Sequence, residues 1–276
     1  MQNTIELYLQ WVASRKASNT LQAYQTDLTQ FSDFIQAREI SILQVTAFDI
    51  DAFLKLELKP RTLARKLSSI SSLYRWAKTR KLVSENPAQG IGGFRIPSFD
   101  PPILKHEEIA ILRLILEQNL PLSALFEFFL STGARVSEVC ALDTQTVNMK
   151  QRKVRVRGKG DKPREVDFSV LAANKIKECL DKRKDSNPAL FVNEKGRRYT
   201  PAMAYYHIRK LGKLAIGRRI WPHLFRHTFA TYAMEGGLSL PEAQGILGHT
   251  RASTTTIYTH PIPVNRERYD KAVGGF

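Results

Sequence analysis

Pro222-His223-Leu224-Phe225-Arg226-His227-Thr228-Phe229-Ala230-Thr231 is the stretch on which the fold turns. Pro222 suits the first turn of a helix, where its missing N–H is no loss. On the helix it opens, His223, Arg226 and His227 fall at i, i+3 and i+4 and share one face. Phe225, Phe229 and Tyr232 point elsewhere, toward a core, and Gly236-Gly237 ends the helix. Imidazoles and a guanidinium are thus gathered along one line of an otherwise apolar helix.

Four more elements lie on either side of it. Thr132-Gly133-Ala134-Arg135-Val136-Ser137-Glu138 opens a helix whose apolar positions are Val136, Val139 and Cys140. A cation at that end opposes the helix dipole, and Glu138 or a bound phosphate would remove the conflict. Val154-Arg155-Val156-Arg157 and Glu165-Val166-Asp167-Phe168 alternate apolar and polar residues, and the segment 158–163 between them predicts a β-hairpin with Lys159 in its turn. Ser239-Leu240-Pro241-Glu242 reads as a capping box, and Gly248 stops the helix it starts, so His249 is held at a defined point. Tyr258 follows in Thr255-Thr256-Ile257-Tyr258-Thr259-His260, nine residues beyond His249.

Arg135, Lys159, His223, Arg226, His249 and Tyr258 supply what breaking a phosphodiester without a metal requires. The phosphate under attack builds charge on its non-bridging oxygens, and guanidinium forks neutralise that charge through paired hydrogen bonds. A phenol, with a pKa of about 10, serves as nucleophile and as leaving group in the reverse step. Histidine can take its proton, and lysine can protonate the departing sugar oxygen. Taken singly, each residue has an ordinary reading. Arg135 can simply pair with Glu138, Lys159 can sit in a solvated turn, and one tyrosine among nine can be packed. Their joint presence in this order selects the catalytic reading.

The set resembles the tyrosine recombinase (phage integrase) family, whose pattern reads Arg, Lys, His-x-x-Arg, His or Trp, Tyr. It looks most like the compact Xer-type site-specific recombinases. The resemblance implies that Arg135 and Arg226 hold the scissile phosphate and that His223 is the general base, with His249 assisting. It implies further that Lys159 is the general acid, that Tyr258 forms a 3′-phosphotyrosyl link, and that Glu138 orients its neighbours. Tyr269 is a rival phenol without the upstream Gly-His spacing. The implied fold is mainly α with a small β-hairpin sheet, a two-domain DNA clamp. Its parts are a helical, SAM-like core-binding domain over 1–86, a linker over 87–104 and an α+β catalytic domain over 105–276. The implied activity is strand exchange through a Holliday junction, resolving chromosome or plasmid dimers or moving a mobile element. A type IB topoisomerase-like nicking enzyme and a non-catalytic DNA-binding protein are the alternatives. The resemblance also implies a homo- or hetero-tetramer on a double-stranded site. In it the C-terminal segment, about 262–276, docks on a neighbouring protomer or else packs on its own domain, and a regulatory protein partner is a further expectation.

Composition agrees. Lys plus Arg number 42 against 26 Asp plus Glu, a net charge of +16, the footprint of a polyanion binder. Basic residues cluster over 150–164 and again over 197–219, interleaved with tyrosines. Arg157, Lys162, Arg164, Arg197, Arg198, Tyr205, Arg209 and Lys210 are expected on DNA, most of them at backbone phosphates. In the first third, apolar stripes Leu21/Tyr24/Leu28/Phe31/Phe34/Ile35 and Leu63/Leu67/Ile70/Leu73/Tyr74/Ala77 predict helices, and Thr46 can cap a shorter one. Arg61, Arg65 and Lys66 on the opposite face suit phosphates or plain solvation.

No apolar run is long enough to span a membrane and the N-terminus carries no signal peptide, so a cytoplasmic protein without a membrane anchor is expected. Cys140 and Cys179 lie on helix patterns and read as buried thiols. No Cys/His set has zinc spacing and no phosphate-binding Gly-Lys loop is present, so no metal or cofactor is expected.

Overall fold

A computed structural model of the chain describes residues 2–16, 18–57, 59–92, 101–157, 163–248 and 265–274. They fall into two compact units, Met1–Phe99 and Asp100–Phe276.

The first unit is built from α1 (Gln2–Ala13), α2 (Ser18–Gln36), α3 (Ala47–Leu54) and α4 (Pro60–Thr79). The two stripes read from the sequence supply much of its core, with Leu28, Phe31, Ile35, Ile70, Leu73 and Tyr74 almost wholly buried. Thr46 caps α3 and receives Asp49 in return, the reciprocal pairing of a capping box. Among the described residues of this unit one carboxylate lies inside: Asp27, 0% exposed, accepts from Ser69 Oγ at 2.8 Å and from Arg65 Nη1 at 2.5 Å. A charge out of water needs such partners, so Arg65 is engaged by the protein itself. Lys66 is similarly occupied, 3.4 Å from Glu57 and over the ring of Phe53. Arg61 is exposed.

The second unit runs α5 (His106–Leu116), α6 (Leu120–Thr132), α7 (Val136–Cys140), a 3₁₀ turn, β1 (Val147–Asn148), β2 (Lys153–Arg157), β3 (Pro163–Asp167), α8 (Val170–Lys182), α9 (Pro201–Ile216), α10 (Pro222–Glu235), α11 (Leu240–Leu247) and α12 (Arg266–Val273). Every residue of α6 from Leu122 to Thr132 is buried, as befits a helix that is apolar nearly all round. Phe126 meets Phe225 of α10 edge-on at 5.2 Å, and Phe128 packs on Phe168 and Phe191. The three strands form an antiparallel sheet in the order β1-β2-β3, with Val154 opposite Val166 and Val156 opposite Arg164. The predicted hairpin is present, and its turn, with Lys159 and Lys162, lies outside the described residues.

Two features bear on what was expected of the linker and of the C-terminal segment. The end of the Pro/Gly-rich stretch is not spacer: Leu104 is buried, donates its N–H to Thr228 Oγ1 at 2.9 Å and accepts from Tyr232 Oη at 2.8 Å. Residues 93–100 of that stretch lie outside the described residues. Of the two readings for the C-terminal segment, the described part packs within its own unit. Tyr269, Ala272 and Val273 of α12 are buried, and Arg152 grips Asp270 through two bonds of 2.8 and 2.7 Å. Tyr269 Oη lies 2.6 Å from the Ser131 carbonyl and 2.9 Å from that of Asp167. Complete burial pushes its phenol well above the usual range, so this rival nucleophile is walled in.

Gly236 shows how closely α10 and α12 approach, since a Cβ there would lie 2.4 Å from Ala272 Cα and 2.8 Å from its carbonyl oxygen. Backbone cannot step aside as a side-chain tip can. Gly236→Ala is expected to cost about 1–3 kcal/mol, lowering Tm by about 2–4 °C for each kcal/mol in a unit of this size. Calorimetry checks this, and an unchanged transition would refute the packing.

Candidate active site

The site forms where three helix ends meet: the C-terminus of α6, the N-terminus of α7 and the C-terminus of α11. Gly133 ends α6 in a left-handed conformation with φ +56°. A Cβ there would fall 2.7 Å from Leu247 and 2.9 Å from Phe229, so only glycine lets α6, α10 and α11 close up. The chain then places Arg135 at the N-cap of α7, against the dipole.

Glu138 resolves that conflict. Its buried carboxylate, 3% exposed, accepts four hydrogen bonds. Oε1 receives Arg135 Nη1 at 2.8 Å and Arg164 Nη1 at 2.9 Å, while Oε2 receives the Arg135 backbone N–H at 2.8 Å and Arg164 Nη2 at 2.9 Å. Its acceptor capacity is filled. Burial works against ionisation, but Arg164 and Arg135 together outweigh it and hold the carboxyl below its ordinary range.

The same arginines, joined by Arg226, reach the open end of α11. The last carbonyls of a helix have no partner within it. Here Ile246 O accepts from Arg164 Nε at 3.1 Å, Leu247 O from Arg226 Nη2 at 2.7 Å and Gly248 O from Arg135 Nη2 at 3.2 Å. Arg226 also donates to Gly133 O at 2.9 Å. Three consecutive carbonyls, each taken by a different guanidinium, put three cations around one carboxylate. Burial, and then the neighbouring charge of Arg135, pulls the Arg226 guanidinium down to about 10, leaving it charged at neutral pH. An arriving anion would relieve both burdens.

Arg226 is only 3% exposed. It therefore reaches sideways under the α6 and α11 ends, whereas His223, four-residue neighbour of His227, keeps an exposed edge. The two imidazoles meet edge-on at 4.9 Å. Partial burial, then the charges of His227, Arg226 and Arg135, lowers the pKa of His223, so its ring is neutral and able to take a proton at neutral pH.

Among the six residues expected to do the chemistry, the structure brings Arg135, Arg226 and His223 together. Lys159, His249 and Tyr258 lie outside the described residues, as does Lys162. Their described flanks are β2 and β3 on either side of the turn, Gly248 before His249, and α12 after Tyr258. On the basic clusters the structure divides what the sequence lumps together. Arg157, Arg197, Tyr205, Arg209 and Lys210 are exposed. Arg198 instead pairs with Asp143 and donates to Leu142 O at 3.1 Å. Arg164 faces Glu138 and α11. Strand alternation held that signal: Arg164 lies opposite Val156 and two residues from Val166, both buried, so it shares the inner face of the sheet.

Residues 103–263 match the Phage integrase family, and residues 5–81 match the Phage integrase, N-terminal SAM-like domain. The chain belongs to the phage integrase family. It is a tyrosine site-specific recombinase, as its relatives are named. Tyrosine recombinase XerC of Herpetosiphon aurantiacus is 31% identical over 290 residues, covering 99% of this chain and 95% of its own length. The XerC of Listeria monocytogenes serotype 4a is 34% identical over 264 residues, covering 88% and 87%. Among solved structures, XerA recombinase aligns with a TM-score of 0.53 at 25% identity, covering 99% and 98%. The Tn1549 transposon integrase in complex with circular intermediate DNA shares the fold at 0.74 and 18% identity, covering 90% and 92%. Among this recombinase's described residues, no group of acidic, histidine or cysteine side chains is placed to hold a metal ion, and no helix is long and apolar enough to cross a membrane. Cys140 and Cys179 are buried free thiols.

The site makes a prediction that needs no DNA. In an NMR titration His223 should show a midpoint below the ordinary histidine value of about 6.5. Arg135→Ala removes one of the cations that disfavour its protonation and should move the midpoint up. A midpoint at or above the ordinary value in the unaltered protein would contradict the geometry.

Proposed function

We propose that this recombinase cuts and rejoins duplex DNA at a specific site, with Tyr258 attacking a phosphodiester clamped by Arg135 and Arg226. The observation that carries the reading is the convergence of those two guanidinium groups on adjacent carbonyls at the end of α11, those of Leu247 and its cap Gly248, beside an imidazole held neutral.

In the proposed step, the Tyr258 oxygen bonds to phosphorus as the bond to the 5′ oxygen breaks. The phenolic proton passes to His223, and Lys159 supplies the proton that the 5′ oxygen takes up. Charge developing on the non-bridging oxygens falls on Arg135 and Arg226, with His249 donating a further hydrogen bond. The 3′-phosphotyrosine keeps the bond energy, so attack by a 5′ hydroxyl of a second strand reseals the backbone without ATP. Two such rounds pass through a Holliday junction.

Exposed Arg61, Arg157, Arg197, Arg209, Lys210 and Tyr205 are proposed to meet the DNA. Arg65, Lys66, Arg164 and Arg198 pair with protein carboxylates. The solved XerH site-specific recombinase was captured bound to a difH substrate, and it shares this fold at a TM-score of 0.64 and 23% identity. We place the present protein, by extension, as a tetramer on two duplex sites in the cytoplasm. There it resolves chromosome or plasmid dimers or acts on a mobile element, and the exposed side of α12, with Glu267 and Lys271, faces a neighbouring protomer.

A nicked suicide duplex tests the chemistry. The protein should form an adduct that survives denaturing electrophoresis, forms in EDTA and disappears in Tyr258→Phe. Persistence of the adduct in that variant would overturn the assignment. Strand exchange between two sites separates recombination from simple relaxation of supercoils. Arg135→Ala should abolish cleavage while site affinity stays within about tenfold, or about 1.4 kcal/mol. For buried Arg226 the cleaner variant is Arg226→Lys, which retains charge where Ala would strand two carbonyls.

A further inference from the structure

Arg164 reaches three parts of the site from the inner face of β3. Its Nε donates to Ile246 O at 3.1 Å, and Nη1 and Nη2 donate to the two oxygens of Glu138 at 2.9 Å each. The side chain is 15% exposed, against 3% for Glu138. A guanidinium presents its donors in one rigid plane, so these three bonds fix three objects relative to one another. They are the strand leaving the turn that holds Lys159, the N-terminus of α7 that carries Arg135, and the end of α11 that precedes His249.

Charge gives Arg164 a second task. Were Glu138 paired with Arg135 alone, one carboxylate would cancel one guanidinium, and the phosphate clamp would lose half its charge. Arg164 supplies the second cation and takes half of the acceptor capacity of Glu138. The Arg135 guanidinium is then bound to the carboxylate through Nη1 alone, its Nη2 resting on a carbonyl at the long distance of 3.2 Å. Gly248 confirms how close the approach is: with φ +67°, a Cβ there would sit 2.9 Å from Arg164 Nε and 3.0 Å from its Cζ.

We propose that Arg164 is a positioning residue for strand cleavage, setting the orientation of Arg135 and the exit of the chain toward His249, and that it makes no contact with DNA. The proposal rests on the recombinase reading above and goes beyond it in assigning a residue that composition places among the phosphate contacts.

Single-turnover adduct formation on the nicked duplex, with the full chain at saturating protein, separates the possibilities. Arg164→Met should slow cleavage by about a hundredfold, the scale of a small misplacement of reacting groups. Affinity for the uncut site, and its dependence on salt, should stay as in the unaltered protein. A backbone contact would behave oppositely, lowering the slope of log K against log salt by about 0.9 per phosphate lost. Arg164→Lys, which keeps the charge without the fork, guards against a folding defect in the Met variant and should also cleave slowly at unchanged affinity. In a Glu138→Gln background, Arg164→Met should add less than its separate effect, since both changes break one network. Full cleavage rate in Arg164→Lys, or a reduced salt slope with normal cleavage at saturation, overturns the proposal. Absence of any Tyr258-dependent adduct in the unaltered protein overturns the recombinase reading instead.

Discussion

A single buried carboxylate, that of Glu138, allows the rest of the site to exist. Four donors converge on it, two of them from Arg164 and two from Arg135. Without it, three guanidinium groups would share one helix end with no full negative charge to offset their repulsion. Removing one partner of such a network exposes the full desolvation penalty of the others. Leading into this site are α6, buried from Leu122 to Thr132, the left-handed Gly133 that ends it and the aromatic contact between α6 and α10.

The end of α11 supplies the complementary half. Its unpaired carbonyls act as fixed partial negative charges, and they hold the guanidinium groups in place without cancelling them. A second carboxylate would have fixed the arginines as firmly but would have cancelled their net positive field. Dipoles orient, and only Glu138 neutralises. Burial first, and then the neighbouring positive charge, lowers the pKa of both Arg226 and His223.

Much of this was legible in the residues. The stripes on α2 and α4, the cap at Thr46, the β2–β3 hairpin, Gly248 ending α11 and the His223/Arg226 spacing all follow from local periodicity and turn chemistry, which act over a few residues. Less legible were effects that couple distant segments. Arg164 and Glu138 are 26 positions apart, Arg226 and Gly133 are 93 apart, and only the packed fold brings them together. Composition misleads for a related reason. A guanidinium on DNA and one on a buried carboxylate look alike in a basic stretch, as Arg65, Arg198 and Arg164 show. Leu104, in a Pro/Gly-rich run yet buried against α10, makes the same point for spacers.

Tyr269 carries a last consequence. Chemistry that parks a DNA strand on a phenol is dangerous if a second phenol nearby can accept the strand, because the end would then be stranded out of register with its resealing partner. Tyr269 is a structural bolt, its oxygen shut between two peptide carbonyls and denied to solvent. Under the proposed chemistry, that burial makes this phenol inert as an acceptor before any substrate arrives.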